Sequence, residues 1–441
     1  MPTAAPNPTA RARLRSAGGA LSALSRDGTT WLLLGSLTAG LLAYVFQVLG
    51  GRVLGSEAFA PIATLWTLQY VVMAILLFAI EQYEVRAVAA AGGDMRALRG
   101  AWPAVWAITL AVAVAVALFL AVFADRLLLG QVDLALVGGA WVITAGAFGM
   151  VRGIYGGRGD YRLSGIATAA DWIARIGFTL LVLAAFASTR NLAWALPLGA
   201  VPFLIWWWLR GRTAHRTSAP PERAKPGRYL AGVSFANGTL QLLLGIGQLI
   251  VVALGESPTA VSAFFVTAAL ARAPFLIGIG FVPRVLTPLT RMAEAGDYAH
   301  VRGLAWLVVA ATVALAAIAG VMAFFLGPWV VGLLYGHEFV VSDVATAGAV
   351  AAVIVALGAL GLNQVVLAEG RPLALVPAWT VGLLAAAVTV VLAPLDPLPR
   401  VAAAMLVGQL VAVVALAVVV TSAHARRAEP APPEDGTKPP Q

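Results

Sequence analysis

The sequence predicts an all-α, polytopic membrane protein of about twelve transmembrane helices, arranged as two six-helix lobes related by a parallel pseudo-two-fold repeat. Three observations carry this. The 441 residues are 61% hydrophobic and only 11% charged, against about 25% charged residues in a soluble domain. Apolar runs of about 20 residues, enough to cross a hydrocarbon core near 30 Å thick, follow one another along almost the whole chain. Short loop motifs also recur about 200 positions apart in the two halves.

The runs between charge clusters place spans near 29–50, 58–80, 101–123, 134–152, 164–186 and 192–209, and a second series near 230–254, 260–282, 304–327, 344–367, 372–393 and 401–421. This divides the chain into a basic N-tail (1–28), an N-lobe (29–209), a basic linker (210–229), a C-lobe (230–421) and a C-tail (422–441). The first span follows a polar, basic stretch and has no small-residue cleavage motif behind it, so it is read as retained rather than as a signal peptide. The tail PAPPEDGTKPPQ is Pro-rich and polar and is expected to be disordered.

Basic loops resist translocation, so Lys and Arg mark the cytoplasmic side. With both termini inside, the cytoplasmic segments hold 23 of the 29 basic residues and the outer loops hold 4: Arg52, Arg126, Arg190 and Arg400. The expected location is the inner (cytoplasmic) membrane, and the net charge of +9 fits anionic lipid headgroups without any nucleic-acid partner.

Two octets, GDMRALRG at Gly93–Gly100 and GDYAHVRG at Gly296–Gly303, fall in the loops before spans three and nine. LGSEA at Leu54–Ala58 pairs with LGESP at Leu254–Pro258, and GGRGDYR at Gly156–Arg162 holds the place of EGRPLA at Glu369–Ala374. Six spans are an even number, so both copies enter the membrane from the same side, which makes the repeat parallel. The octet has two open readings. Its Asp caps a short helix whose basic residues anchor at the interface, or it meets a substrate directly.

GGRVLGSEAFAPIATLW (Gly50–Trp66), RALRG (Arg96–Gly100) and VRGIYGGRGDYR (Val151–Arg162), set in two six-span halves, resemble the oligosaccharide-lipid flippases. These form the polysaccharide, Wzx-type branch of the multidrug/oligosaccharidyl-lipid/polysaccharide exporter superfamily. The resemblance covers about residues 29–421. It implies two lobes around a central cavity that move a polyprenyl-phosphate- or diphosphate-linked glycan to the outer leaflet by alternating access. Glycan polymerases or glycosyltransferases would be the accompanying partners.

Charged groups inside a span cost about 2.5–3.5 kcal/mol each on insertion scales and usually face a cavity or a partner. Arg272 lies in TAALARAPFLIGIG of span eight, two residues before Pro274. The resemblance implies a cavity arginine in that span, with a guanidinium suited to phosphate, and a structural arginine satisfied by carbonyls freed at Pro274 is the other reading. Asp171 and Arg175 in ATAADWIARIGF of span five are four apart and share a helix face, as a structural ion pair or an ion-coupling site. Asn237, Gln241 and Gln248 fall on one side of a helical span seven, as cavity lining or helix glue. Gln47 in span one and Gln69 in span two complete the expected substrate-binding set, and span ten ends with Asn363 and Gln364. Glu81 and Glu84 sit where span two meets the cytoplasm and are read as hydrated.

Two competing functions are open. A multidrug or other small-molecule antiporter of the same superfamily would favour acidic cavity groups, of which Asp171 is the only deep one. A membrane glycosyltransferase or polymerase needs outer carboxylates for acid–base work, and the longest outer segment, Gly327–Ala345, offers only His337, Glu338 and Asp343. No catalytic set, metal site or cofactor is expected: there is no cysteine, the four histidines are far apart in sequence, and no GxxxxGK[ST] loop is present to hydrolyse ATP. A gradient, the membrane potential or downstream consumption of the product is therefore expected to drive transport.

Overall fold

The computed structural model describes residues 28–73, 77–210, 227–272, 275, 298–368 and 371–428. Among these the regular structure is entirely helical. Most of the N-tail, residues 211–226 of the linker, Pro274, Asp297 and residues 429–441 lie outside the described residues.

Helix α1 covers Gly28–Val72 and contains the first expected span and most of the second. Forty-five residues at 1.5 Å each would reach about 67 Å, twice the hydrocarbon core. The chain breaks this length at Gly55, whose φ of 77° and ψ of 172° are not helical. Glycine alone reaches that conformation without a Cβ penalty. The second copy of the motif repeats the device: Gly255 has φ 87°. The LGSEA/LGESP repeat is therefore present in the backbone as well as in the letters.

Helix α2 (Phe78–Ala90) continues from span two, and a 3-10 turn at Met95–Leu98 leads into α3 (Trp102–Val122). Helices α4 (Leu134–Gly157) and α5 (Tyr161–Ala185) follow, joined at Gly159 with φ 70°, and Asp160 caps α5 by accepting from the Leu163 amide at 3.1 Å. Span six is assembled from short pieces ending in α6 (Val201–Arg210). Span seven is broken into α7 (Gly227–Gly245) and α8 (Gly247–Ala253), bent by 51°. Helix α9 (Pro258–Ala271) begins span eight. Helices α10 (Tyr298–Tyr335), α11 (Asp343–Ala368), α12 (Leu375–Leu392) and α13 (Pro397–Ala428) complete the order. A helix segment falls at each of the twelve expected spans. Several helices outrun expectation: α2 continues to Ala90 and α4 to Gly157, α10 continues through Pro328 to Tyr335, where the sequence reading ended span nine at 327, and α13 continues to Ala428, past the expected start of the tail.

Two compact units divide the chain differently from its two sequence halves. The first takes residues 1–230 together with 248–266 and 329–341; the second takes 231–247, 267–328 and 342–441. In the first unit, α1 and α5 approach so closely at Gly35 and Gly165 that a Cβ on either would run into the other's backbone. In the second, α12 and α13 meet at Gly382, where a Cβ would lie 2.7 Å from the Gly408 carbonyl oxygen. Small residues at such crossings let backbones approach where there is no hydrophobic drive between helices in lipid. The second unit's core joins Trp379, Phe275, Leu362 and Leu416.

Candidate functional site

The first unit contains most of the buried ionisable groups described. Asp171 and Arg175 are 6% and 4% exposed. Arg175 Nη2 donates to Asp171 Oδ1 at 3.2 Å and Oδ2 at 3.3 Å, and the guanidinium lies 4.6 Å from the centre of the Trp172 ring. Gly199 closes over the pair: a Cβ there would sit 2.7 Å from Asp171 Oδ1 and 2.9 Å from Arg175 Cβ. The absent side chain is what lets span six cover two charges.

A second ionic cluster corrects the sequence reading. Glu81 and Glu84 were expected to be hydrated, yet they are 8% and 0% exposed. Arg152 of α4 donates to Glu81 Oε1 at 2.7 Å. Both carboxyl oxygens of Glu84 are buried with no hydrogen-bond partner. Burial, and then the charge of Glu81, push the Glu84 carboxyl up to about 8. The cause is glycine again: a Cβ on Gly153 would lie 2.7 Å from Glu84 Oε2, and one on Gly157 would lie 2.6 Å from Val88 Cβ. The run VRGIYGG thus draws α2 down onto α4, and that run was the available signal.

The polar residues expected to bind substrate do not form one stripe. Gln248 is 3% exposed, accepts from the Thr67 hydroxyl and donates to Thr64 Oγ1 at 3.4 Å, all within the first unit. Asn237 and Gln241 belong to the second unit, on the other side of the Gly245–Gly247 break. A single straight helix was assumed for span seven, and the 51° bend ends that register. Gln47 is 4% exposed, and the Oε1 atoms of Gln47 and Gln69 are buried without a partner in the first unit.

Arg272 is 8% exposed and donates to the Leu244 carbonyl in the last turn of α7, within the second unit. Its partner is the helix end beside the span-seven break. The carbonyls near Pro274, proposed from sequence, lie partly outside the described residues. Also in the second unit, Gln409 Nε2 donates to the Leu240 carbonyl at 3.4 Å, and Asn363 Oδ1 accepts from Trp379 Nε1 at 3.0 Å.

Sequence reasoning missed one further constellation. Arg52 donates to the carbonyls of Leu333 and Leu334 at the end of α10. Around it, Phe59 packs against Phe265 and Phe339 at 6.1 and 6.4 Å between ring centres, and Gly51 fits under Tyr335. All of these lie in the first unit, so this unit covers the Gly55 break of α1 with segments from the second sequence half. No group of acidic and histidine residues able to hold a metal occurs among the described residues.

These elements build a fold similar to that of solved MATE family transporters. An inward-facing multidrug resistance MATE family transporter aligns with a TM-score of 0.64 at 14% identity, over 90% of this chain and 98% of that one. The eukaryotic MATE transporter AtDTX14 aligns equally well, at 0.64 and 14% identity, over 92% and 98%. An outward-facing multidrug resistance MATE transporter aligns at 0.55 and 16% identity, over 92% and 96%. No family model and no curated protein matches the sequence. At these identities the likeness establishes the fold, and the Wzx-type branch expected from the loop motifs is not singled out by it.

Proposed function

We propose that the chain is a gradient-driven, alternating-access exporter of small amphipathic molecules, working in the manner of the MATE transporters whose fold it shares. The observation that carries this reading is the full-length likeness to transporters in both inward- and outward-facing conformations. Proton coupling is supported by Glu84, a carboxyl buried without a partner, in a chain with no nucleotide-binding loop. In this reading both termini and the octet loops are cytoplasmic, as the distribution of Lys and Arg requires.

Flipping of a lipid-linked glycan is the second reading, favoured by the buried Arg272, and its cargo would be a polyprenyl-linked sugar. The bond from Arg272 to the Leu244 carbonyl weighs against it, because a guanidinium committed to a helix end is less able to fork around a phosphate. Reconstitution into proteoliposomes separates the two. The first reading expects ethidium movement that depends on an imposed pH gradient. Absence of ethidium movement in vesicles that translocate a fluorescent polyprenyl-diphosphate sugar would overturn it in favour of the second.

A further inference from the structure

A pocket of about 690 Å³ opens in the first unit between the 3-10 turn, the start of α3, the middle of α4 and α6. Its chemistry is two-sided. Arg96 and Arg99 line it together with Trp102, Trp106, Trp207 and Trp208, with no carboxylate among the lining residues.

The local sequence explains why the two arginines converge. Asp94 caps the turn, its Oδ1 accepting from the Arg96 amide at 2.9 Å. Residues three apart are eclipsed in a 3-10 turn, so Arg96 and Arg99 point the same way. The turn is fixed from behind by Arg158, whose Nε donates to the Gly93 carbonyl at 3.1 Å. Both pocket arginines remain exposed. The octet GDMRALRG is thus a device that presents two cations side by side, at the point where span three begins.

Two of the tryptophans that line the pocket also carry a donor without an acceptor. The indole Nε1 atoms of Trp102 and Trp207 are buried and have no hydrogen-bond partner in the protein. A buried N–H is normally satisfied, and tryptophan at a membrane boundary normally finds a polar partner for its N–H while its ring stays in the apolar layer. Two fixed cations, two orphaned donors and an otherwise apolar wall call for an amphiphile with an anionic, oxygen-rich head. Basic pockets beside transmembrane helices bind such heads.

We propose that this pocket is a binding site for an anionic glycerophospholipid of the adjacent leaflet. Arg96 and Arg99 pair with the phosphate, the Trp102 and Trp207 indoles donate to headgroup or ester oxygens, and an acyl chain lies along Trp106 and Ile205. The site is separate from the Asp171–Arg175 and Glu81–Arg152 pairs, and it needs no assumption about the exported molecule.

The test uses the purified full-length protein and native mass spectrometry with defined lipids. Dioleoyl phosphatidylglycerol should be retained, and dioleoyl phosphatidylcholine should be retained much more weakly. Arg96→Gln with Arg99→Gln should weaken phosphatidylglycerol retention by about tenfold, as expected for loss of charge-assisted bonds to one phosphate. Trp102→Phe and Trp207→Phe, which keep the ring and remove the N–H, should each weaken it by a few-fold. Millimolar inorganic phosphate should not compete. Undiminished phosphatidylglycerol retention by the double arginine variant would overturn the proposal. Equal retention of phosphatidylcholine would overturn the anionic assignment. Displacement of phosphatidylglycerol by equimolar undecaprenyl phosphate would overturn the choice of a glycerophospholipid. Both arginines are exposed, so their replacement leaves the packed core intact, and a Trp variant that melts lower is decided by the arginine pair.

Discussion

Arg52, just beyond span one, donates to the carbonyl of Leu334, 282 positions later in the chain. The last carbonyls of a helix lack intrahelical donors, and a cation is favourable at that end of the helix dipole. Arg52 therefore caps α10 and ties its end to α1 inside the first unit. Because Arg52 is exposed, the bonds contribute only about 1 kcal/mol. The main expected consequence of Arg52→Ala is local opening. Phe339 is 3% exposed, so Phe339→Cys in this cysteine-free chain should react slowly with a maleimide and several-fold faster in the Arg52→Ala background. Equal rates would show that the cap does not hold this end of the unit closed.

The Asp171–Arg175 pair allows a double-mutant cycle. Removing one member of a buried pair strands a charge and costs about 3–5 kcal/mol, whereas replacing both is often nearly neutral. Arg175→Gln alone should therefore lower the melting temperature and the membrane level. Asp171→Asn combined with Arg175→Gln should restore both. Recovery of transport together with protein level marks the pair as structural. A well-expressed but inactive double variant would instead assign Asp171 to ion coupling.

These two sites differ in how they could be read beforehand. Asp171 and Arg175 were legible because both partners lie on one helix, four residues apart. The Asp94 cap was legible because it is local to its octet, and Gly55 and Gly255 announced their breaks through a repeated motif. Arg52 was not legible, since its partner is a backbone carbonyl far along the chain, and a carbonyl has no letter. Glu81 and Glu84 were misjudged because hydropathy registers charge near a span end but not the helix that covers it. That helix is α4, admitted by Gly153 and Gly157. The glutamine stripe failed at Gly245-Ile246-Gly247, where two glycines flank the break and the helical period stops.

Glu84 makes a pH prediction with a definite sign. Its folded-state value, about 8, lies above the ordinary 4.5. Below pH 4.5 both folded and unfolded chains are protonated there, and the group has no effect. Between these values the folded chain keeps a proton that the unfolded chain has lost, so stability falls as pH rises through the window and levels off above about 8. Glu84→Gln removes this dependence. Its melting temperature should match the wild type at low pH and exceed it by a growing margin at pH 7 and 8.5. A margin that does not change with pH would contradict the burial of an unpartnered carboxyl.

The parallel repeat predicts sidedness. Ala97 and Ala299 lie one in each octet, and Ser188 lies on the opposite side in the orientation proposed from the basic residues. Single cysteines at Ala97 and Ala299 should both be shielded from an impermeant thiol reagent in intact cells, and one at Ser188 should be labelled. Opposite labelling at Ala97 and Ala299 would break the parallel arrangement.

Arg272 separates a structural role from a cargo-binding one. Its guanidinium donates to Leu244, in the final turn of α7 beside the break in span seven. A charged donor to a buried carbonyl contributes about 1.5–3 kcal/mol, and removing it leaves that carbonyl unsatisfied. Arg272→Ala should therefore lower the melting temperature measurably. Arg272→Lys should recover part of the loss, because an ammonium still donates to a carbonyl although it cannot reproduce the planar fork. A phosphate-binding arginine gives the opposite pattern: in both variants stability is unchanged, and translocation of a lipid-linked sugar in vesicles is abolished by Ala and reduced by Lys. Melting and vesicle assays on the same preparations therefore distinguish a capped helix break from an anion site, and the bond to Leu244 places the expectation on the first.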